Sequence, residues 1–168
     1  MLKKYEKIIK GVINPKNEQT SKAQFNADTG FYYITDGFRC VRFAENIKDL
    51  PLYKDGEKTY NIPRQYSQAN EVEYKALEIP YTIQQIKNWG KANEGKPFKL
   101  GVTANRQWIG INPKFLTDAM ETTGSNVLLI PKRGYVMLMQ GNEIDWLIMP
   151  IQLQGFERDK TMTEIEEV

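Results

Sequence analysis

Phe31-Tyr32-Tyr33-Ile34-Thr35-Asp36-Gly37-Phe38-Arg39-Cys40-Val41-Arg42-Phe43 is the stretch whose reading decides the fold class. Its two halves are aromatic and β-branched, and Asp36-Gly37 separates them with a dipeptide that supplies the positive φ angles of a tight hairpin. Two antiparallel strands are expected, 31–35 and 38–43, joined at Asp36-Gly37. Alternation along the second strand places Cys40 on one face with Phe38 and Arg42.

On the N-terminal side of this hairpin, Leu2, Tyr5, Ile8, Ile9 and Val12 recur at helical spacing, while Lys3, Lys7 and Lys10 form a stripe on another face. Asn14-Pro15 ends that helix, because a residue before proline is pushed out of the helical region. On the C-terminal side, residues 44–80 are rich in Lys, Asn, Glu and Pro and read as long loops with weak strands around 59–62 and 73–79. Thr82 and Gln85 then make a capping-box pattern ahead of Ile83, Ile86 and Trp89, so a second helix follows, with Lys87 and Lys91 four residues apart on it. Strands are expected over 98–103 and 107–111. Asn112-Pro113 reads as an N-cap with proline in the first turn, opening a third helix that buries Phe115, Leu116, Ala119 and Met120 and ends near Gly124. Three closing strands, 127–130, 135–140 and 143–153, complete the pattern. Few helices and many hairpins argue an α+β fold of antiparallel sheets with about three helices.

The chain has 168 residues, enough for one domain with a sizeable core, and its net charge is only +2. Residues 1–155 are expected to form that single domain. The last twelve residues carry five acids and two bases, leaving +5 on the rest of the chain, so 156–168 reads as a flexible acidic extension. No histidine is present, which removes serine–histidine and cysteine–histidine catalysis and most zinc sites; the single cysteine excludes an internal disulfide. The N-terminus lacks the apolar stretch of a signal peptide, and the longest apolar runs, 127–130 and 146–149, fall far short of the roughly 20 residues that span a bilayer. A cytoplasmic protein without membrane contact is expected.

Few residues carry chemistry. Asp36, Asp118, Glu121, Glu143 and Asp145 fall at turns or on helix surfaces, where solvated acids are expected rather than a catalytic pair. Asp28, Asp36 and Asp145 lack the spacing of a magnesium site. Cys40 has no histidine to activate it and reads as an inert, buried thiol. The glycines form no phosphate-cradling loop. No catalytic residue, metal or cofactor is therefore expected. Lys3, Lys7, Lys10, Lys87 and Lys91 are either a phosphate-binding set or simply solvated helix faces.

Two stretches together resemble a known family. Ile34-Thr35-Asp36-Gly37-Phe38-Arg39 resembles the T-D-G-H-R-L element of the bacterial sliding clamp, the beta subunit of DNA polymerase III. Residues 111–120, from Ile111-Asn112-Pro113 to Ala119-Met120, then 127–130, then Trp146-Leu147-Ile148-Met149-Pro150-Ile151-Gln152-Leu153, resemble that family's final helix and closing strands, which commonly read V-M-P-M-R-L. The order along the chain also matches. The resemblance covers mainly 31–43 and 107–153.

This resemblance implies a DNA-clamp-like domain. In that family several domains close a ring around duplex DNA, with basic helices facing it, and a surface pocket receives a short linear peptide from replication proteins. Carried over by position, the pocket candidates are Thr35, Gly37, Phe38 and Arg39 from the turn, with Met149, Pro150, Ile151 and Leu153 from the closing strand. The alternative is that Met149, Ile151 and Leu153 are the inward face of a strand and Asp36-Gly37 merely a hairpin. The lysine set Lys3, Lys7, Lys10, Lys87 and Lys91 would then face the DNA backbone.

Phe38, Cys40 and Gln152 replace the family's usual His, Leu and Arg. Bacterial clamps carry three domains per chain, so a one-domain chain would need a homo-oligomeric ring, six copies if the family geometry holds. The two pocket elements, which come from neighbouring domains in the family, would then meet across a subunit boundary. Lys114, opposed by Asp118 and Glu121, is poor lining for a DNA channel. The expected function is a non-enzymatic sliding-clamp-like protein of replication, phage- or mobile-element-borne, acting on double-stranded DNA as processivity factor or recruiting platform for replication proteins. The alternative is a monomeric protein-interaction module with a clamp-like fold and no DNA encirclement.

Overall fold

A computed structural model describes residues 2–102, 107–151 and 153. Nine strands are present among them: β1 (Gln24–Asn26), β2 (Phe31–Thr35), β3 (Arg39–Phe43), β4 (Tyr74–Glu78), β5 (Phe98–Val102), β6 (Gln107–Ile111), β7 (Val127–Pro131), β8 (Met137–Gln140) and β9 (Ile144–Ile148). Four α-helices join them: α1 (Glu6–Lys10), α2 (Ile62–Asn70), α3 (Ile83–Ala92) and α4 (Pro113–Thr123). Seven strands form one antiparallel sheet in the order β1-β2-β3-β9-β8-β7-β4, and β5 and β6 form a separate hairpin. The expected α+β class is observed.

The large sheet is covered on both faces. Alternation sends Val41 and Phe43 of β3, Ile144, Trp146 and Ile148 of β9, and Met137 and Met139 of β8 into the main core. Leu2 and Ile9 at the N-terminus, Ile86 of α3 and Leu116 and Ala119 of α4 fill the same core. Tyr33, Leu138 and Leu147 point the other way and meet Ile62, Tyr66 and Ala69 of α2. Each fully buried side chain of this size contributes about 1.5–3 kcal/mol, so the sheet's position between two apolar layers is strongly specified.

The local signals for α3 and α4 act as expected. Thr82 Oγ1 accepts from Gln85 N (3.1 Å) and Gln85 Oε1 from Thr82 N (2.9 Å), closing the capping box. Asn112 Oδ1 accepts from Lys114 N at 2.9 Å, and Gly124, at φ +69°, ends α4 in the left-handed conformation that spares a Cβ clash. Such caps contribute about 1 kcal/mol each.

Four expectations change. The N-terminal helix is shorter than 1–12: Leu2–Tyr5 form a 3-10 turn and only Glu6–Lys10 are α-helical. Residues 59–62 are not a strand but lead into α2, which Asn61 caps through Arg64 N (3.2 Å) and Pro63 opens. Its apolar stripe, Ile62, Tyr66 and Ala69 at i, i+4 and i+7, was present in the sequence but hidden by a polar composition. The hairpin tip is Gly37-Phe38 rather than Asp36-Gly37, since Thr35 pairs with Cys40 and Asp36 N bonds Arg39 O. Gly37 takes φ +93°, as the first tip residue of such a turn must. The closing strand stops at Ile148, and Ile151 instead bridges to Gly110 of β6.

The acidic extension 156–168 and Gln152 lie outside the described residues. Among the described residues no helix is long and apolar enough to cross a membrane.

Candidate functional site: an apolar hollow beside the β2–β3 turn

The β2–β3 turn is rigid because its polar atoms satisfy one another. Thr35 Oγ1 donates to the Arg39 carbonyl (2.7 Å) and accepts from Gly37 N–H (3.0 Å). Asp36 Oδ1 accepts from the N–H groups of Phe38 (2.9 Å) and Arg39 (3.0 Å), while its Oδ2 accepts from Arg39 Nε at 3.1 Å. With backbone and side chains so engaged, Phe38 is left at the tip, 66% exposed. An exposed aromatic on an ordered turn is a ready contact surface.

β3 and β9 pair antiparallel, bringing Arg39 opposite Ile148, and Met149 N then donates to Phe38 O at 2.9 Å. That pairing places Met149 next to the turn. α2 closes the third side. Its Tyr66 hydroxyl lies 3.0 Å from the Cys40 carbonyl and 2.9 Å from the Asp145 carbonyl, which share its one proton, and this fixes the helix over β3 and β9. Between these walls lies a hollow of about 240 Å³.

Five of the eight expected pocket residues, Thr35, Gly37, Phe38, Arg39 and Met149, border this hollow. Pro150, Ile151 and Leu153 do not: Ile151 turns away to Gly110, and Leu153 is buried against that glycine. Met149 and Ile151, both about 40% exposed, are thus not the inward face of a closing strand, whereas Leu153 is buried. Cys40, Tyr60, Ile62, Gln65, Val136 and Leu147, none of them among the expected pocket residues, complete the lining. The helical spacing of Ile62, Tyr66 and Ala69 was the signal that would have found the α2 wall.

Both pocket elements come together within one chain. The expectation that they would meet only across a subunit boundary is therefore corrected: β9 lies beside β3 in the same sheet. Arg39 also differs from expectation. Its side chain is 4% exposed, paired with Asp36 and with Asp118 of α4 at 2.7 Å, and its guanidinium lies over the Phe115 ring. It shapes the turn and is not a free cation for a ligand.

Three of the acids expected to be solvated are not, the first being Asp36, whose carboxylate is spent inside the turn. Asp118 is 5% exposed, held by Arg39 and Lys114, and Asp145 pairs with Arg42 at 2.6 Å. Both are structural counter-ions. Cys40 borders the hollow as a neutral thiol: burial, partly offset by the Thr35 hydroxyl and reinforced by the Asp36 charge, raises its pKa to about 11. Burial likewise lifts the Tyr66 phenol well above its ordinary value. Among the described residues no group of three potential ligands is placed to hold a metal ion.

The lysines divide. Lys7, Lys87 and Lys91 line one open groove of about 810 Å³ between α1 and the α3–α4 pair, joined there by Lys114. Glu94, Asp118 and Glu121 line it too, and Lys87 bonds Glu121 at 3.2 Å. Lys3 is exposed outside that lining, and Lys10 is spent on the Lys48 carbonyl (2.7 Å) and Glu6.

No family model and no curated protein matches this chain. Among solved structures it is similar to the Helicobacter pylori beta clamp bound to a DNA ligase peptide, with 18% identity over 73% of this chain and a TM-score of 0.42. The match takes in 41% of that clamp, so the chain spans about two fifths of its length.

Proposed function

We propose that this chain is a non-enzymatic, DNA-clamp-like protein of replication that recruits partners by taking up a short apolar peptide in the hollow beside Phe38 and Met149. One observation carries the reading: the turn and closing-strand elements singled out by sequence, far apart along the chain, converge on a single hollow with exposed apolar rims. Apolar anchors in a preformed, desolvated recess are the economical way to hold a linear peptide. Thr35, Asp36 and Arg39 serve by holding Phe38 in place, and Met149 supplies the facing rim.

In this proposal the groove lysines, chiefly Lys7 and Lys91, lie along the DNA backbone, and several copies assemble a ring that makes the protein a processivity factor. Phosphate attraction carries no sequence information and so suits a sliding contact. The second reading, a monomeric interaction module without DNA encirclement, is favoured by one specific fact: the hollow is complete in a single chain and needs no ring.

Light scattering on a sizing column at several concentrations and two salt levels separates the two. A multimer retained on closed circular DNA and released on linearisation supports encirclement. A monomer at every concentration, with no retention on circular DNA, rejects it and leaves the recruiting module.

A further inference from the structure

We infer that the polar recognition at this hollow is carried by Gln65 and Tyr60, and that the occupant inserts one uncharged apolar side chain; the inference rests on the peptide-binding reading above. The lining leaves few polar groups free. Thr35 Oγ1 already donates to Arg39 O and accepts from Gly37 N. The Arg39 guanidinium is shared between Asp36 and Asp118. Cys40 is a neutral thiol. Ile62, Val136, Leu147, Phe38 and Met149 offer only apolar surface, and Gly37 has no side chain.

Two side chains are left with hydrogen-bonding capacity. The Gln65 amide and the Tyr60 hydroxyl border the hollow, are exposed, and make no side-chain hydrogen bond among the described residues. Both sit on the wall supplied by the start of α2 and the residues before it. Together they offer donors and an acceptor to a neutral partner group such as a peptide amide, and neither brings a net charge. No uncompensated charge lines the hollow, so a charged side chain entering it would lose its hydration without gaining a counter-ion. A charged anchor is thereby selected against, and specificity follows from what the hollow rejects.

Size is compatible with this. A cavity of about 150 Å³ accepts a benzene ring, so a hollow of about 240 Å³ has room for a large aliphatic or aromatic side chain.

The test begins with a displayed library of random dodecapeptides panned on the wild-type chain and, in parallel, on the Phe38→Ser/Met149→Ser variant. Sequences enriched only on wild type are synthesised with capped ends and titrated by fluorescence anisotropy against wild type, Gln65→Ala and Tyr60→Phe. The expected result is a common position occupied by Leu, Ile, Met or Phe and never by Asp, Glu, Lys or Arg. Gln65→Ala should weaken binding about fivefold and Tyr60→Phe about threefold, with unchanged melting temperatures. Charged residues at the anchor position, or full-strength binding by both α2-wall variants while Phe38→Ser/Met149→Ser has lost it, would overturn this inference and leave the hollow as the peptide site. Failure to enrich any wild-type-only sequence would instead reject the hollow itself, and the inference with it.

Discussion

Arg39 Nη1 lies 2.7 Å from Asp118 Oδ2, and this pair ties the β2–β3 turn to α4 across the main core. Both side chains are almost fully buried, and the same guanidinium holds Asp36 in the turn. The turn's shape, and with it the presentation of Phe38, therefore depends on a helix almost eighty residues further along.

Removing one member of this buried pair leaves the other's charge in the interior with only its second, more exposed partner, Lys114 for Asp118 or Asp36 for Arg39. Asp118→Ala and Arg39→Ala should each destabilise the chain by about 3–5 kcal/mol, read as a lowered urea midpoint. Replacing both with Leu should recover much of that loss, because two buried charges are removed together. A double variant as unstable as either single one would show that shape, not charge, dominates at this pair.

Phe38→Ser and Met149→Ser act on exposed atoms and should change stability by no more than about 0.5 kcal/mol. Peptide affinity should fall at least tenfold in each, as truncation of a central anchor does. Arg39→Ala is the wrong probe of the pocket, since its loss of binding would follow from a disordered turn. Circular dichroism melting beside the binding titration separates these cases.

Alkaline pH should weaken the fold. The Cys40 thiol rises from 9.0 to about 11 on folding, so the folded chain holds that proton more tightly than the unfolded one. Its contribution is fully present below pH 9 and is lost as the pH climbs through 11, by up to about 3 kcal/mol. Tyr66, raised in the same sense, adds to the trend at higher pH. Denaturant midpoints from pH 8 to 11 should fall in wild type and fall less in Cys40→Ala. Equal slopes would place the alkaline sensitivity elsewhere.

Gly110 holds the end of the closing segment. A Cβ there would stand 2.6 Å from the Ile151 carbonyl and 2.9 Å from Leu153 Cδ2, and backbone cannot yield cheaply. Gly110→Ala should cost about 1–3 kcal/mol. Faster amide exchange at Ile151, whose N–H bonds Gly110 O at 2.8 Å, is the local signature, and unaltered exchange there would contradict it.

If the groove faces DNA, its lysines are not equivalent. Lys7→Glu with Lys91→Glu should weaken retention on circular DNA and flatten the dependence of log affinity on log salt by about one unit for each phosphate no longer neutralised. Lys3→Glu with Lys10→Glu should do less, since Lys10 is already engaged by Lys48 and Glu6 and Lys3 lies outside the groove. Equal effects from both pairs would detach DNA binding from the groove.

The strands and helices legible in the sequence were those with local signals. The Thr82–Gln85 box, the Asn112-Pro113 start and the aromatic hairpin are built from interactions a few residues apart; the two helix starts stand where their signals put them, and the hairpin forms with its tip one residue later than Asp36-Gly37. α2 was missed because its stripe of three apolar residues is set among Arg, Gln, Ser and Asn, and the face that buries it belongs to β2, β8 and β9.

By itself the sequence determined the α+β class and the exclusion of histidine chemistry, because composition and short-range periodicity encode those directly; the two segments that border the hollow were pointed to by a resemblance of motifs, not by composition or periodicity. Tertiary structure alone decided the rest. Strand order set β9 against β3, so the two segments meet in one chain; burial turned Arg39 from a ligand-binding cation into a partner of Asp118; and long-range packing delivered α2 as the third wall. Pairings between residues so distant along the chain depend on which apolar faces bury one another, and local pattern carries no record of that choice.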